Sequence, residues 1–245
     1  MKYYRSNSCK IEFVLSENLK KNFGCHNHVS YHVAGLVLNG SVLIEKSQEQ
    51  KRLSEGEIFI IPPYEPHAVA LDEDAVLLSM CVGVSFIEKY DIAQAAELLS
   101  EQLERLMEKN ILNERQAEML SGVLLEIYSA HQRGKNDMSA EISTVSGIIV
   151  ENPEREISLN ELSARAYISK YYLIKKFRQS VGLTPRHFQI QARIRKAQKL
   201  LCDGGKIAET AAETGFYDQS HFCRYFNKVV GITPREYVSS VEELD

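Results

Sequence analysis

"LIKKFRQSVGLTPRHF" (residues 173–188) and "FCRYFNKVVGITPREY" (residues 222–237) carry one pattern twice, at a constant offset of 49 residues. Leu173 answers to Phe222, Phe177 to Phe226, Val181-Gly182 to Val230-Gly231, Thr184-Pro185-Arg186 to Thr233-Pro234-Arg235, and Phe188 to Tyr237. So long a gapless match marks a duplicated supersecondary unit. Each copy reads as helix, tight turn, helix. In the first, Ser158 and Glu161 form a capping box for a short helix bearing Leu159 and Leu162, the chain turns at Tyr167-Ile168, and Ser169 caps the next helix. In the second, residues 207–213 are the short helix, Gly215 frees the turn, and Asp218 caps the helix carrying Phe222 and Phe226.

The i, i+4 pairs Leu173/Phe177 and Phe222/Phe226 must face a core, so the opposite faces are exposed. The first carries Lys170, Tyr171, Ile174, Lys175 and Arg178; the second carries Gln219, Ser220, His221, Cys223, Arg224 and Asn227. Gln and Arg can read base edges, while Lys and Ser suit phosphates. An exposed Tyr171 beside Ile174 serves no solvated surface. Each Thr-Pro starts a further helix, with Pro at the first position, where its missing N–H does no harm.

The 245 residues allow two modest domains, and 44% hydrophobic with 25% charged residues is an ordinary globular composition. The net charge of −4 hides an asymmetry: residues 165–235 hold 14 Lys or Arg against four acids. A basic block on an acidic chain points to a polyanionic partner. Cys9, Cys25, Cys81, Cys202 and Cys223 never form CxxC, so reduced thiols are expected. No apolar window reaches membrane length and the first residues lack a signal-peptide core, so a cytoplasmic protein with no membrane partner is expected. P-loop, GxSxG and HExxH patterns do not occur, and no catalytic residue is assigned.

"IAETAAETGFYDQSHFCRYFNKVVGITPREY" resembles the signature of the AraC/XylS family of transcriptional regulators, and "LSARAYISKYYLIKKFRQSVGLTPRHFQIQARIRKAQKLL" resembles the first half of the same DNA-binding domain. The resemblance implies two helix-turn-helix units joined by a central helix over about residues 185–202. Both recognition helices would then enter successive major-groove turns of double-stranded DNA, roughly 34 Å apart. It also implies RNA polymerase as partner, a homodimer, and an activator controlled by a small-molecule effector. Ser163 and Thr210 depart from the small or aliphatic residues usual at their positions, away from the recognition faces.

Ahead of this domain, residues 1–90 read as a small antiparallel β-barrel, with Asn39-Gly40 as a type I′ hairpin signal between two apolar runs. Residues 91–131 switch to helical period in two stripes, Ala95/Leu99/Leu103/Leu106 and Ala117/Leu120/Leu124/Ile127. This helical hairpin either covers the barrel or dimerises. Residues 132–141 read as linker, and 142–245 as an all-α DNA-binding domain, giving an α+β multidomain chain.

"CHNHVSYH" (residues 25–32) concentrates three histidines near the barrel's start. Strand parity puts His26 and His28 on one side, with His32 if the strand stays in register, and Cys25 on the other. The stretch, followed by Gly56, Pro62 and His67, resembles the cupin order of metal ligands. That resemblance implies His26, His28 and His67 as ligands, with His32 or Val33 where cupins place a glutamate. Three readings stay open: His26, His28, His32 and His67 line a small organic effector's pocket; His26, His28 and His67 hold a transition metal; or the rings pack on one another. A metal-dependent cupin enzyme tethered to DNA is a more remote alternative. In the favoured mechanism, effector binding in the barrel shifts the helical hairpin.

Overall fold

The computed structural model describes residues 1–5, 11–17, 21–28, 31–46, 49–134 and 138–244. The chain divides into two compact units, Met1–Asn136 with Ser240–Asp245, and Asp137–Ser239. Residues 135–137 of the expected linker, and Cys9, lie outside the described residues.

The first unit begins with nine strands: β1 (Lys2–Arg5), β2 (Ile11–Ser16), β3 (Lys21–His26), β4 (Tyr31–Asn39), β5 (Ser41–Lys46), β6 (Glu49–Ser54), β7 (Ile58–Ile61), β8 (His67–Leu71) and β9 (Val76–Gly83). Helices α1 (Val84–Lys89), α2 (Ile92–Glu108) and α3 (Glu114–Gly134) follow, and the chain's last residues return as β10 (Val241–Glu243). One sheet has the order β10-β1-β2-β9-β4-β7 and the other β3-β8-β5-β6. Alternation along the strands feeds two cores. Val33 and Val37 of β4, Phe59 and Ile61 of β7, and Leu77 and Cys81 of β9 meet Val42, Ile44, Leu53, Val69 and Leu71 of the second sheet, as in a small antiparallel barrel. The other face of the six-stranded sheet presents Ala34, Leu36, Leu78, Met80 and Val82 to the helical hairpin.

Both hairpin stripes are spent on that sheet: Ala95, Leu99, Leu103 and Leu106 of α2 and Ala117, Leu120, Leu124 and Ile127 of α3 are buried in one core with it. Each large apolar side chain so buried contributes about 1.5–3 kcal/mol. Among the described residues, the large apolar side chain that the hairpin leaves strongly exposed is Leu125. Covering the sheet is therefore what these stripes do.

Two features differ from the sequence expectation. Asn39-Gly40 is not a hairpin turn, because β4 and β5 belong to different sheets and only Gly40 of the pair has positive φ, at 70°. A register shift between Val37 and Asn39, and the close approach of Gly40 to the Ala75 backbone, make it a corner where the chain changes sheets. The barrel is also not purely antiparallel. β10 runs parallel to β1, pairing Tyr3 with Val241, while Leu244 is buried in the core beneath the helices. The final residues thus pack with the sheet domain, where sequence reading had placed them with the helices.

The second unit is all helical: α4 (Ala140–Glu151), α5 (Leu159–Arg165), α6 (Lys170–Val181), α7 (Pro185–Cys202), α8 (Ile207–Glu213), α9 (Gln219–Val230) and α10 (Pro234–Ser240). The duplication is structural as well as textual. Ser169 and Asp218 accept hydrogen bonds from the Tyr172 and His221 amides, and Gly182 and Gly231 end α6 and α9 in the left-handed conformation. The ring pair Phe177/Phe188, with centroids 5.3 Å apart, is repeated by Phe226/Tyr237 at 5.4 Å. α8 begins 48 residues after α5, whereas α9 begins 49 after α6, so the second turn is one residue longer.

Candidate nucleic-acid interface and histidine cluster

α6 and α9 are the second helices of the two helix-turn-helix units. Leu173, Phe177 and Val181 bury one face of α6, and Phe222, Phe226 and Val230 do so on α9. The opposite faces leave Lys170, Tyr171, Ile174, Lys175 and Arg178, and Gln219, Ser220, Arg224 and Asn227, exposed. His221 and Cys223 are partly buried. The His221 ring stacks edge-on against Tyr225 at 4.9 Å, and its Nδ1 is buried. Burial pushes the Cys223 thiol pKa up, keeping it protonated. Lys176, by contrast, is held by Glu141 of α4 at 3.2 Å. Among the described residues, Lys170, Lys175, Arg178 and Arg224 have no ion-pair partner, so their charge is available to an external anion.

The frame behind these helices rests on Arg193 of α7, which sequence reading did not single out. Its guanidinium donates to the carbonyls of Pro153, Glu154, Arg155 and Gly215, the first at 2.7 Å. One side chain thereby joins the segment before the first unit to the turn of the second. Gly215 has φ 77°, and a Cβ there would stand 2.3 Å from the Glu154 carbonyl oxygen. Any larger residue would push the second turn off this frame. Two aromatic side chains in the turns are almost fully exposed, Tyr167 at 95% and Tyr217 at 93%; the sequence placed a turn at Tyr167 but gave neither side chain a role. Tyr167 is so exposed at φ 55°, a strained setting for a side chain.

Of the expected effector residues, three come together. His26 and His67 are direct cross-strand partners between β3 and β8. His28 lies just beyond β3, its carbonyl accepting from the Tyr64 amide at 2.8 Å. Ring centroids stand 4.2 Å apart for His26/His67, 5.0 Å for His28/His67 and 5.1 Å for His26/His28. His67 is buried and the other two half-buried. Burial first, and then the nearby His26, push the His67 pKa down to about 3, against the opposing bond to the Glu65 carbonyl. Beside His67, Lys46 donates to the Ile60 carbonyl at 2.6 Å and lies 3.5 Å from Glu65. Cys25 is exposed.

His32 is not part of this group. β3 stops at His26, so the parity that would align His32 does not extend to it. It sits on the helix-facing side of β4, buried, with Nε2 3.3 Å from Nδ1 of His131 on α3. Burial and, secondly, His131 lower its pKa to about 4. Val33, the other candidate for a glutamate-like role, points into the packed barrel interior. The histidines therefore offer three imidazole nitrogens and no carboxylate in the position cupins use, a donor set suited to borderline ions such as Zn, Ni or Cu and not to Ca or Mg.

Residues 162–240 match the family model described as a helix-turn-helix domain. The uncharacterized HTH-type transcriptional regulator YbfI of Bacillus subtilis is 26% identical over 235 residues, covering 86% of this chain and 85% of that protein. ToxT of Vibrio cholerae O395 shares the fold at TM-score 0.63 and 14% identity, over 94% of this chain and 98% of ToxT. A chain described as a probable AraC family transcriptional regulator, from Rhodopseudomonas palustris CGA009, is 30% identical over 41% of this chain and 96% of its own length, at TM-score 0.39. By the family model, the relatives' names and the duplicated helix-turn-helix built above, the chain is a transcriptional regulator with an AraC-type helix-turn-helix DNA-binding domain.

Proposed function

We propose that this regulator is an activator that places α6 and α9 in successive major-groove turns of double-stranded DNA and takes its signal from a small effector bound by the sheet domain at His26, His28 and His67. The observation that carries the DNA half is the pair of recognition faces, with Lys170, Lys175, Arg178 and Arg224 exposed and without ion pairs among the described residues. Gln219 and Arg224 are assigned to base edges, Lys175 to base or phosphate, and Lys170 and Ser220 to phosphate. Tyr171 and Ile174 make apolar contact with bases. RNA polymerase is the partner for activation, and the working form is a homodimer.

ToxT has been solved with an unsaturated fatty acid bound. Here the interior between the sheets is filled by side chains such as Phe59, whose ring lies where a Cβ on Gly35 would be. That packing supports a small effector at the histidine end over a long-chain one. Selection of bound duplexes from a random library, followed by salt titration, tests the DNA half. Affinity should fall steeply with salt through counterion release. Arg224→Ala should cost about 1–3 kcal/mol and relax preference at one base position, while Lys170→Ala should lower the salt slope by about one. A chain that enriches no sequence, or an Arg224→Ala variant that binds like wild type, overturns this assignment.

A further inference from the structure

We infer that β10 is a releasable strap: docked on β1 it restrains the second helix-turn-helix, and undocked it frees that element to seat on DNA. This goes beyond the proposed function, which supplies a signal but no route to the DNA-binding helices, and it rests on that reading for the DNA it concerns. The route is covalent. α10 ends at Ser240 and β10 begins at Val241, with no residue between them. α10 is itself fixed in the core of the second helix-turn-helix, since the Tyr237 ring is buried with its centroid 5.4 Å from that of Phe226 on α9. β10 belongs to the sheet, pairing Tyr3 with Val241, Tyr4 with Glu242 and Arg5 with Glu243. A docked strap therefore joins the helix packed on α9 to a strand held by β1, with no slack in the chain.

Little holds the strap in place. Its ladder is short and parallel, the less stable pairing per residue, and it lies at the edge of the six-stranded sheet. The Leu244 amide donates to the Arg5 carbonyl at 2.7 Å, and the Leu244 side chain is buried in the core under the hairpin. Burying one leucine offsets the conformational entropy of ordering only about two residues, whereas docking orders residues 241–244. The Glu242 and Lys109 ion pair, at 3.1 Å, joins two exposed side chains and adds little. Glu242 also walls an open cavity of about 630 Å³ with Lys2, Tyr4, Leu15, Lys109 and Ile111, so that flank of the strap is not packed. An element so weakly held opens locally while β1 and β2 stay paired. Because the docked strap removes orientations that the helices could otherwise take, it lowers the fraction competent to bind DNA.

The test locks and releases the strap in the full chain. Arg5 and Glu243 are partners in the β1–β10 register, and such partners lie within disulfide reach, so Arg5→Cys with Glu243→Cys should cross-link on oxidation. DNA binding is titrated on a duplex selected by the chain from a random library. The oxidised double variant should bind at least about fivefold more weakly than the same sample after reduction. Single-cysteine variants taken through the same oxidation control for the natural thiols, and circular dichroism checks that each variant folds. In the unaltered chain the amides of residues 241–244 should exchange with deuterium faster than those of β2, and Leu244→Ser should speed them further without loss of DNA affinity. Equal DNA binding before and after reduction, no cross-link at all, or exchange at 241–244 as slow as in β2 overturns the inference, as does a Leu244→Ser variant that binds DNA more weakly. A chain that enriches no duplex removes the proposed function and with it the strap's effect on DNA, whereas a strap that fails these tests in a chain that does select DNA removes the strap alone.

Discussion

Acidification should destabilise the sheet domain through His32, and the size of the effect follows from its setting. His32 is 1% exposed on β4, against His131 of α3, and its pKa falls to about 4 from the ordinary 6.5. Between these two values the unfolded chain binds the proton and the folded chain does not, so stability falls as pH falls. The contribution is fully present above pH 6.5 and fully lost below pH 4. Taking the pH from about 7.5 to about 5 should therefore cost about 2 kcal/mol through this residue. Urea unfolding followed by circular dichroism at the two pH values gives the total acid response. His32→Leu keeps an apolar group in the same place and removes the titration, so its acid response should be smaller than that of wild type by about 2 kcal/mol. Because burial is the larger cause and the His131 charge the smaller, His131→Leu should retain most of the effect. Equal acid responses in wild type and His32→Leu would refute the assignment to His32. Complete loss of the effect in His131→Leu would refute burial as its main cause.

Thr210 is 1% exposed and its Oγ1 has no hydrogen-bond partner. Thr210→Val should raise the melting temperature, through a gain of about 1 kcal/mol, by removing an unsatisfied hydroxyl at nearly constant volume. Ser163, the other departure from the family pattern, bonds to the Asn160 carbonyl at 3.0 Å and needs no such relief. Gly215→Ala should lose about 2 kcal/mol or more, since it strains a left-handed residue and presses on the Glu154 carbonyl. Thermal unfolding and DNA titration on this variant should fall together, because the turn it moves carries α9.

The helical half was legible because its determinants are local. Ser158, Ser169, Thr184, Asp218 and Thr233 each act within three residues of where they stand, accepting from the amide three positions on. α7 spans Pro185–Cys202, the extent expected for the central helix. The one-residue difference between the turns was hidden because the matched stretches begin after the turn. What Arg193 does was not legible at all, since the carbonyls it holds lie 22 to 40 residues away and any residue type could supply them.

The histidines show the same boundary from the other side. Cys25 is exposed, but a register shift between Phe23 and His26 interrupts the alternation that parity relied on, and parity also assumed a strand through His32, whereas the strand ends at His26. His28 nevertheless reaches the cluster, because the Tyr64 amide holds its carbonyl from the far side of the site. His32 instead meets His131, 99 residues away. No local spacing in the sequence links the two residues. A period-2 argument is worth as much as the strand beneath it, and what decides a strand's end is pairing with β8, a non-local event. Spacing could nominate the imidazoles, but only the register of His26 against His67 brings two of them face to face, and that pairing is what turns a histidine-rich stretch into a candidate sensor site.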